Sequence, residues 1–156
     1  MDSESPRRSA AQETHQSWIE RLARPPSIDG LHPIAARFVY SLRLVALHQR
    51  AGRDPVPELT QRLGSISGAI SALGLAKTIA YAWPEAVQLR RFCCQRLSHD
   101  ETTIGRIFGA AWEGDRCAFD AELGGLVRVD RIERLWDDAL DFVQADARPR
   151  SGGVFL

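Results

Sequence analysis

The chain has 156 residues, 44% of them hydrophobic, and its 20 basic and 20 acidic residues give a formal net charge of zero. This length suits one domain with one core, and the apolar share excludes an intrinsically disordered protein. A chain without a basic excess is a poor match for a non-specific nucleic-acid binder, which needs positive charge to neutralise phosphates.

The three cysteines, Cys93, Cys94 and Cys117, indicate the cellular compartment. An odd number of cysteines without a secretory leader argues against a disulfide framework and favours a reducing environment. Residues 1–13 are polar, and no apolar run follows the Arg7-Arg8 pair, so we expect no translocation signal. The sequence therefore predicts a cytoplasmic protein.

The N-terminal elements are predicted from residues that stop or start helices. Residues 1–28 are expected to form a disordered tail with a short helix over 12–23, which Arg24-Pro25-Pro26 would end. A long helix is predicted from Pro33 to Ala51, because proline suits the first helical position and apolar residues recur behind it at helical spacing. Gly52 would end this helix.

The next segment predicts one long helix from Pro57 to Trp83. Apolar residues step through its first half by three and four positions, which is the spacing of a coiled-coil seam. The seam consists of Val56, Leu59, Leu63, Ile66, Ile70 and Leu73. A second row repeats a small residue every four positions, so that another helix could approach closely. This row consists of Gly64, Gly68, Ala72, Ala76 and Ala80.

The same segment has the length of a membrane span, because residues 64–83 contain a single charged residue, Lys77. Its apolar positions are periodic, and glycine, serine and threonine interrupt them. A buried core helix is the usual form of such a stretch, so we expect no membrane span.

The C-terminal half predicts three more helices. Residues 86–97 allow either a helix or an extended connector. Ser98-His99-Asp100-Glu101 is a capping box that would start a helix, and a shorter helix is predicted over 115–123. An amphipathic helix over 130–143 precedes a flexible tail, residues 148–156. Together these elements predict an all-α, single-domain bundle of five or six helices over residues 29–147.

The cysteines allow three interpretations. Cys93, Cys94, His99 and Cys117 together could hold zinc, although adjacent cysteines are poorly spaced for a chelate. Buried structural thiols are the ordinary alternative, since free cysteine is commonly buried. A redox-sensing thiol is the third, because the neighbouring arginines could lower a thiol pKa.

An arginine-rich segment offers a DNA-binding alternative. Arg90, Arg91, Arg96 and Arg106 precede or lie in the capped helix, and the 115–123 helix could act as the reader of a helix-turn-helix. That second helix carries Asp115, Asp120 and Glu122, which would repel phosphates.

The run Cys93-Cys94-Gln95-Arg96-Leu97-Ser98-His99-Asp100-Glu101 resembles a motif in an uncharacterised family of small helical proteins from sphingomonad-type alphaproteobacteria. In that family a cysteine cluster precedes Arg, Leu or Met, Ser or Thr, and an acidic pair. The order of the helices is also similar, and the resemblance covers roughly residues 31–143. The family's cluster has more cysteines than this chain. It has no assigned function, so the resemblance implies a bacterial helical protein and no particular activity.

No enzyme signature is present in the sequence, and no catalytic residue can be named. The sequence favours a non-enzymatic interaction or regulatory module that binds a protein partner or a second copy of the chain. The seam residues would form the interface, namely Leu59, Leu63, Ile66, Ile70 and Leu73. A DNA-binding regulator and a Cys-based metal or redox protein remain the alternatives.

Overall fold

The computed structural model describes residues 25–147, and these form six α-helices after a short 3-10 turn at Ile28–Gly30. The helices are α1 (Pro33–Arg50), α2 (Val56–Leu63), α3 (Ile66–Ala82), α4 (His99–Glu113), α5 (Arg116–Leu123) and α6 (Val129–Ala147). Within the described residues no strand is present, so the predicted all-α bundle is confirmed. The expected 12–23 helix and 148–156 tail lie outside the described residues.

The predicted capping box at the start of α4 is confirmed. The Ser98 Oγ accepts a hydrogen bond from the Glu101 N–H at 3.1 Å, and the Glu101 carboxylate accepts one from the Ser98 N–H at 2.9 Å. Both bonds satisfy N–H groups that have no partner inside the helix. Two hydrogen bonds within one turn therefore define where α4 begins.

The prediction of one helix from Pro57 to Trp83 is wrong, because Gly64 and Ser65 interrupt the helix. Gly64 ends α2 in the left-handed conformation, with φ of 78°. Ser65 then caps α3 by accepting a bond from the Gly68 N–H at 2.9 Å. Among residues 25–147 no single helix is long and apolar enough to cross a membrane. The α2–α3 pair meets the length and composition criteria jointly, and it is bent by 120°.

Three phenylalanines form the centre of the core. Phe38 of α1, Phe108 of α4 and Phe142 of α6 are buried, and their ring centroids lie 4.3 to 5.6 Å apart. Two of the three pairs are edge-to-face, which is a favoured aromatic geometry. Helix α3 packs mainly on α6 and α2, and α4 packs on α1 and α5. Among the helices of residues 25–147, this arrangement leaves one side of α3 without a packing partner.

The connector between α3 and α4 is not helical and contains a turn at Phe92 and Cys93, so the helix alternative for residues 86–97 is wrong. It is tied to the start of the domain by an isolated bridge between Ser27 and Arg96 and by a bond from the Ile28 N–H to the Gln95 carbonyl at 2.9 Å. Ile28 is buried in the core. Residues 27 and 28 therefore belong to the packed domain, whereas the sequence placed them in the tail.

Candidate functional site

A stripe of exposed residues runs along α3. Ile66, Ile70, Gly74, Lys77 and Tyr81 follow each other by four, four, three and four positions, so they share one side of the helix. Ile66 is 62% exposed, Ile70 is 59% exposed and Tyr81 is 71% exposed. Ile66 and Ile70 are neighbours one turn apart, and neighbouring exposed apolar residues mark interaction surfaces more often than scattered ones do. These five residues are called the α3 face below.

The opposite side of α3 is apolar as well. Its buried residues are Gly68, Ala69, Ala72, Leu75, Ile79 and Ala82. A helix that is apolar on all sides is normally buried on all sides. Here the described part of the chain covers only one side of α3. The helix is therefore more apolar than a helix with one buried side needs to be.

The α3 face is uncharged over most of its length. No charged residue occurs from Ile66 to Ala76, and Lys77 is the first. At the C-terminal end, the Arg131 guanidinium lies 4.4 Å from the centre of the Tyr81 ring, and it donates to the Tyr81 carbonyl at 2.9 Å. The exposed ring is therefore held in place by α6. Solvent-facing helix sides usually carry charge, so this face has the character of an interface.

The five residues predicted as an interface do not form one surface. Leu59 and Leu63 of α2 are buried in the core, and Leu73 is half-buried against it. Ile66 and Ile70 alone remain exposed. The prediction of a single heptad seam is therefore wrong. The bend between α2 and α3 places Leu59 and Leu63 in the core, while Ile66 and Ile70 stay exposed.

The structure does not bring the four predicted zinc ligands together. Cys93 and Cys94 lie in the connector, His99 begins α4 and Cys117 lies in the first turn of α5. Within the described range, no group of three or more Cys, His, Asp or Glu side chains could hold a metal ion. Cys93 and Cys117 are exposed rather than buried, which corrects the structural-thiol interpretation for those two. Their redox role stays a prediction.

The arginines of the DNA-binding alternative are exposed but only partly grouped. Arg90, Arg91 and Arg96 lie in the connector. Arg106 lies on α4, with its Nη1 atom 3.8 Å from the Glu122 carboxylate of α5. The predicted reader helix α5 has eight residues, carries Asp120 and Glu122, and is capped by Asp115. DNA binding stays a prediction.

A buried ion pair that was not identified from the sequence organises the connector. The Arg43 Nε donates to Glu101 at 2.7 Å and its Nη2 donates to the same carboxylate at 2.9 Å. Its remaining N–H groups donate to the carbonyls of Arg91, Cys94 and Arg96 at 3.2, 2.6 and 2.9 Å. Both side chains of the pair are fully buried. A helix residue thereby fixes the shape of a distant loop.

The surroundings of this pair shift the pKa values of both residues. Burial acts to raise the pKa of Glu101, but hydrogen bonds from Arg43 and from the Ser98 and Arg90 N–H groups outweigh it and hold the pKa below its ordinary value. The hydrogen bond to Glu101 raises the pKa of Arg43. The pair is therefore ionised, and its five guanidinium donors all have acceptors. It has a structural role.

The chain matches no family model, no curated protein and no solved structure. The resemblance of residues 93–101 to an alphaproteobacterial family therefore stays a prediction. Residues 25–147 form a small helical bundle in which α3 exposes Ile66 and Ile70.

Proposed function

We propose that this chain is a non-enzymatic interaction module that associates with a second copy of itself through the α3 face. The observation that carries the proposal is the exposure of Ile66 and Ile70, at 62% and 59%, on a helix side without charge from Ile66 to Ala76. Burying exposed apolar surface stabilises association by roughly 25 cal/mol per Å² before the costs of binding are subtracted. A cytoplasmic location, expected from the cysteine content, is part of the proposal.

The pattern of the face favours an antiparallel pair of α3 helices. A two-fold interface brings the same surface of both copies together, so residue i of one copy meets residue j of the other and the reverse. With the axis between Ile70 and Gly74, each Ile70 lies over the other copy's Gly74. A Cβ added at Gly74 would meet nothing within 4 Å, so space for the isoleucine is open.

Charge is compatible with the same arrangement. Lys77 is the single charged residue of the α3 face, and in this register it lies opposite Ser67 of the second copy, not opposite the other Lys77. Ile66 lies opposite Thr78. The two Lys77 side chains therefore do not face each other across the axis, which avoids repulsion between them.

Sedimentation equilibrium of the full chain tests the proposal. The wild-type chain is expected to be a concentration-dependent dimer, and Ile66→Glu/Ile70→Glu is expected to be monomeric, because two carboxylates would be buried without partners. Val129→Glu is the matched control, since Val129 is an exposed aliphatic residue, 84% exposed, on α6. A monomeric wild-type chain, or equal loss of association in the control, contradicts the proposal.

A further inference from the structure

A cavity of about 440 Å³ opens between α1, α2 and the connector. Its volume falls within the range of small-molecule sites, which is roughly 300–1,000 Å³. Leu44, Leu59 and Leu63 form an apolar floor, and all three are buried. No residue of α3 lines the cavity, so its occupant is argued separately from the proposed dimer.

One wall of the cavity is aromatic. The rings of Tyr40 and Phe92 lie 5.7 Å apart between centroids, and both line the cavity. The Arg62 guanidinium lies 4.9 Å from the centre of the Phe92 ring. Apolar walls with a few polar groups at one end are typical of sites for small organic molecules.

The charged residues that line the cavity are both cations. Arg37 and Arg62 contribute to the lining, and no carboxylate does. Each guanidinium pairs with a carboxylate outside the lining through its Nε and Nη2 atoms, Arg37 with Asp146 and Arg62 with Glu58. Neither Nη1 atom has a hydrogen-bond acceptor among residues 25–147. Each arginine can therefore take one more anionic oxygen.

The wall formed by the connector is held in place before any ligand binds. Phe92, Cys93 and Gln95 line the cavity, and they lie between the residues whose carbonyls bind Arg43, namely Arg91, Cys94 and Arg96. The buried pair with Glu101 fixes Arg43 in turn. A wall fixed in this way lowers the entropic cost of binding.

We propose that this cavity binds a small amphipathic anion, a carboxylate on an apolar body. The carboxylate lies at the rim beside Arg62 and Arg37, and the apolar body contacts Leu44, Leu59 and Leu63. The aromatic wall covers the body from the connector side. The two cations among the lining residues favour a carboxylate, and the buried leucines and the aromatic rings favour an apolar body.

Protection of Cys93 from alkylation measures occupancy directly, because its thiol is exposed and its residue lines the cavity. The full chain is treated with iodoacetamide in the presence of decanoate, decanol or decyltrimethylammonium, all below micelle formation. Mass spectrometry follows Cys93, with the exposed Cys117 on α5 as an internal control. Decanoate is expected to slow alkylation of Cys93 and leave Cys117 unchanged. Decanol should need about tenfold higher concentration, which is the loss expected for one charge-assisted hydrogen bond.

Matched arginine variants test the role of the rim. Arg62→Gln is expected to raise the decanoate concentration needed for protection about tenfold. Arg62→Lys should retain most of the protection. Arg134→Gln, which removes an exposed arginine of a similar helical ion pair on α6, should leave protection unchanged. Equal protection by the three probes, or no protection of Cys93 by decanoate, overturns the proposal.

Discussion

Arg43 and Glu101 meet in the interior of the bundle through two hydrogen bonds of 2.7 and 2.9 Å, and both side chains are fully buried. A buried charge that loses its partner is strongly destabilising, because the remaining charge keeps its desolvation cost. Arg43 also satisfies three carbonyls of the connector, so its loss would leave those groups without donors. The pair therefore links the stability of the fold to the shape of the connector.

Replacing Arg43 tests this link. Arg43→Gln is expected to lower the free energy of unfolding by about 3–5 kcal/mol, measured by urea denaturation. Amides of the connector should lose protection in hydrogen exchange at the same time. Arg128→Gln removes an exposed pair with Asp130 and should change stability by less than about 1 kcal/mol. A loss at Arg43 as small as in this control would refute the structural role.

The lowered pKa of Glu101 predicts a specific dependence of stability on pH. The folded state holds this proton less tightly than the unfolded state, whose pKa is near 4.5. The stabilisation by the carboxylate is therefore complete above that value and is lost as pH falls through the lower folded pKa. The free energy of unfolding of the wild-type chain should thus exceed that of Glu101→Gln at neutral pH, and the gap should close in acid. A gap that does not change with pH would count against the pair.

The break between α2 and α3 predicts different effects at two nearby serines. Ser65→Ala removes the cap of α3 and should lower the free energy of unfolding by about 1 kcal/mol. Ser67 lies in the first turn of the same helix at an exposed position and is not its cap, so Ser67→Ala should change the free energy of unfolding little. Thermal unfolding of the two variants measures the difference. Equal effects would contradict the assignment of Ser65 as the cap.

Substitutions at Gly74 distinguish the stability of the fold from the stability of the dimer. Gly74→Ala should stabilise the fold by up to about 1 kcal/mol, because the helix interior favours alanine and a Cβ there meets nothing. Gly109→Ala in α4 is the matched control, with equally open space. Gly74→Leu should also fold, yet weaken the dimer by filling the space for the second copy's Ile70. A dimer that tolerates Gly74→Leu would contradict the proposed register.

The elements that were predicted correctly are those with local chemical signals. Pro33 and the Ser98–Glu101 box fix the starts of α1 and α4, because both act within one helical turn. Gly64 and Ser65 carried a comparable signal, since a glycine before a serine can end one helix and cap the next. The coiled-coil spacing across them favoured a continuous helix. In the structure Gly64 adopts the left-handed conformation and ends α2.

The spacing of residues along the sequence could not predict the candidate sites, because both depend on contacts between distant parts of the chain. Ile66 and Ile70 belong to the same apolar series as Leu59 and Leu63, and only the bend after α2 decides which pair is exposed. Arg43 occupies a helix position whose partners lie between 48 and 58 residues away along the chain. A buried arginine is rare, so composition gave no reason to single it out.

Directed disulfide formation between two α3 helices tests the proposed interface most directly. The three cysteines are replaced by serine, Ile70→Cys is introduced in one protomer and Gly74→Cys in another, and the mixture is oxidised. The antiparallel arrangement predicts rapid, nearly complete cross-linking of the mixed pair, faster than for Ile70→Cys mixed with Val129→Cys. Cross-linking that is no faster in the 70–74 pair than in this control would contradict association through the α3 face.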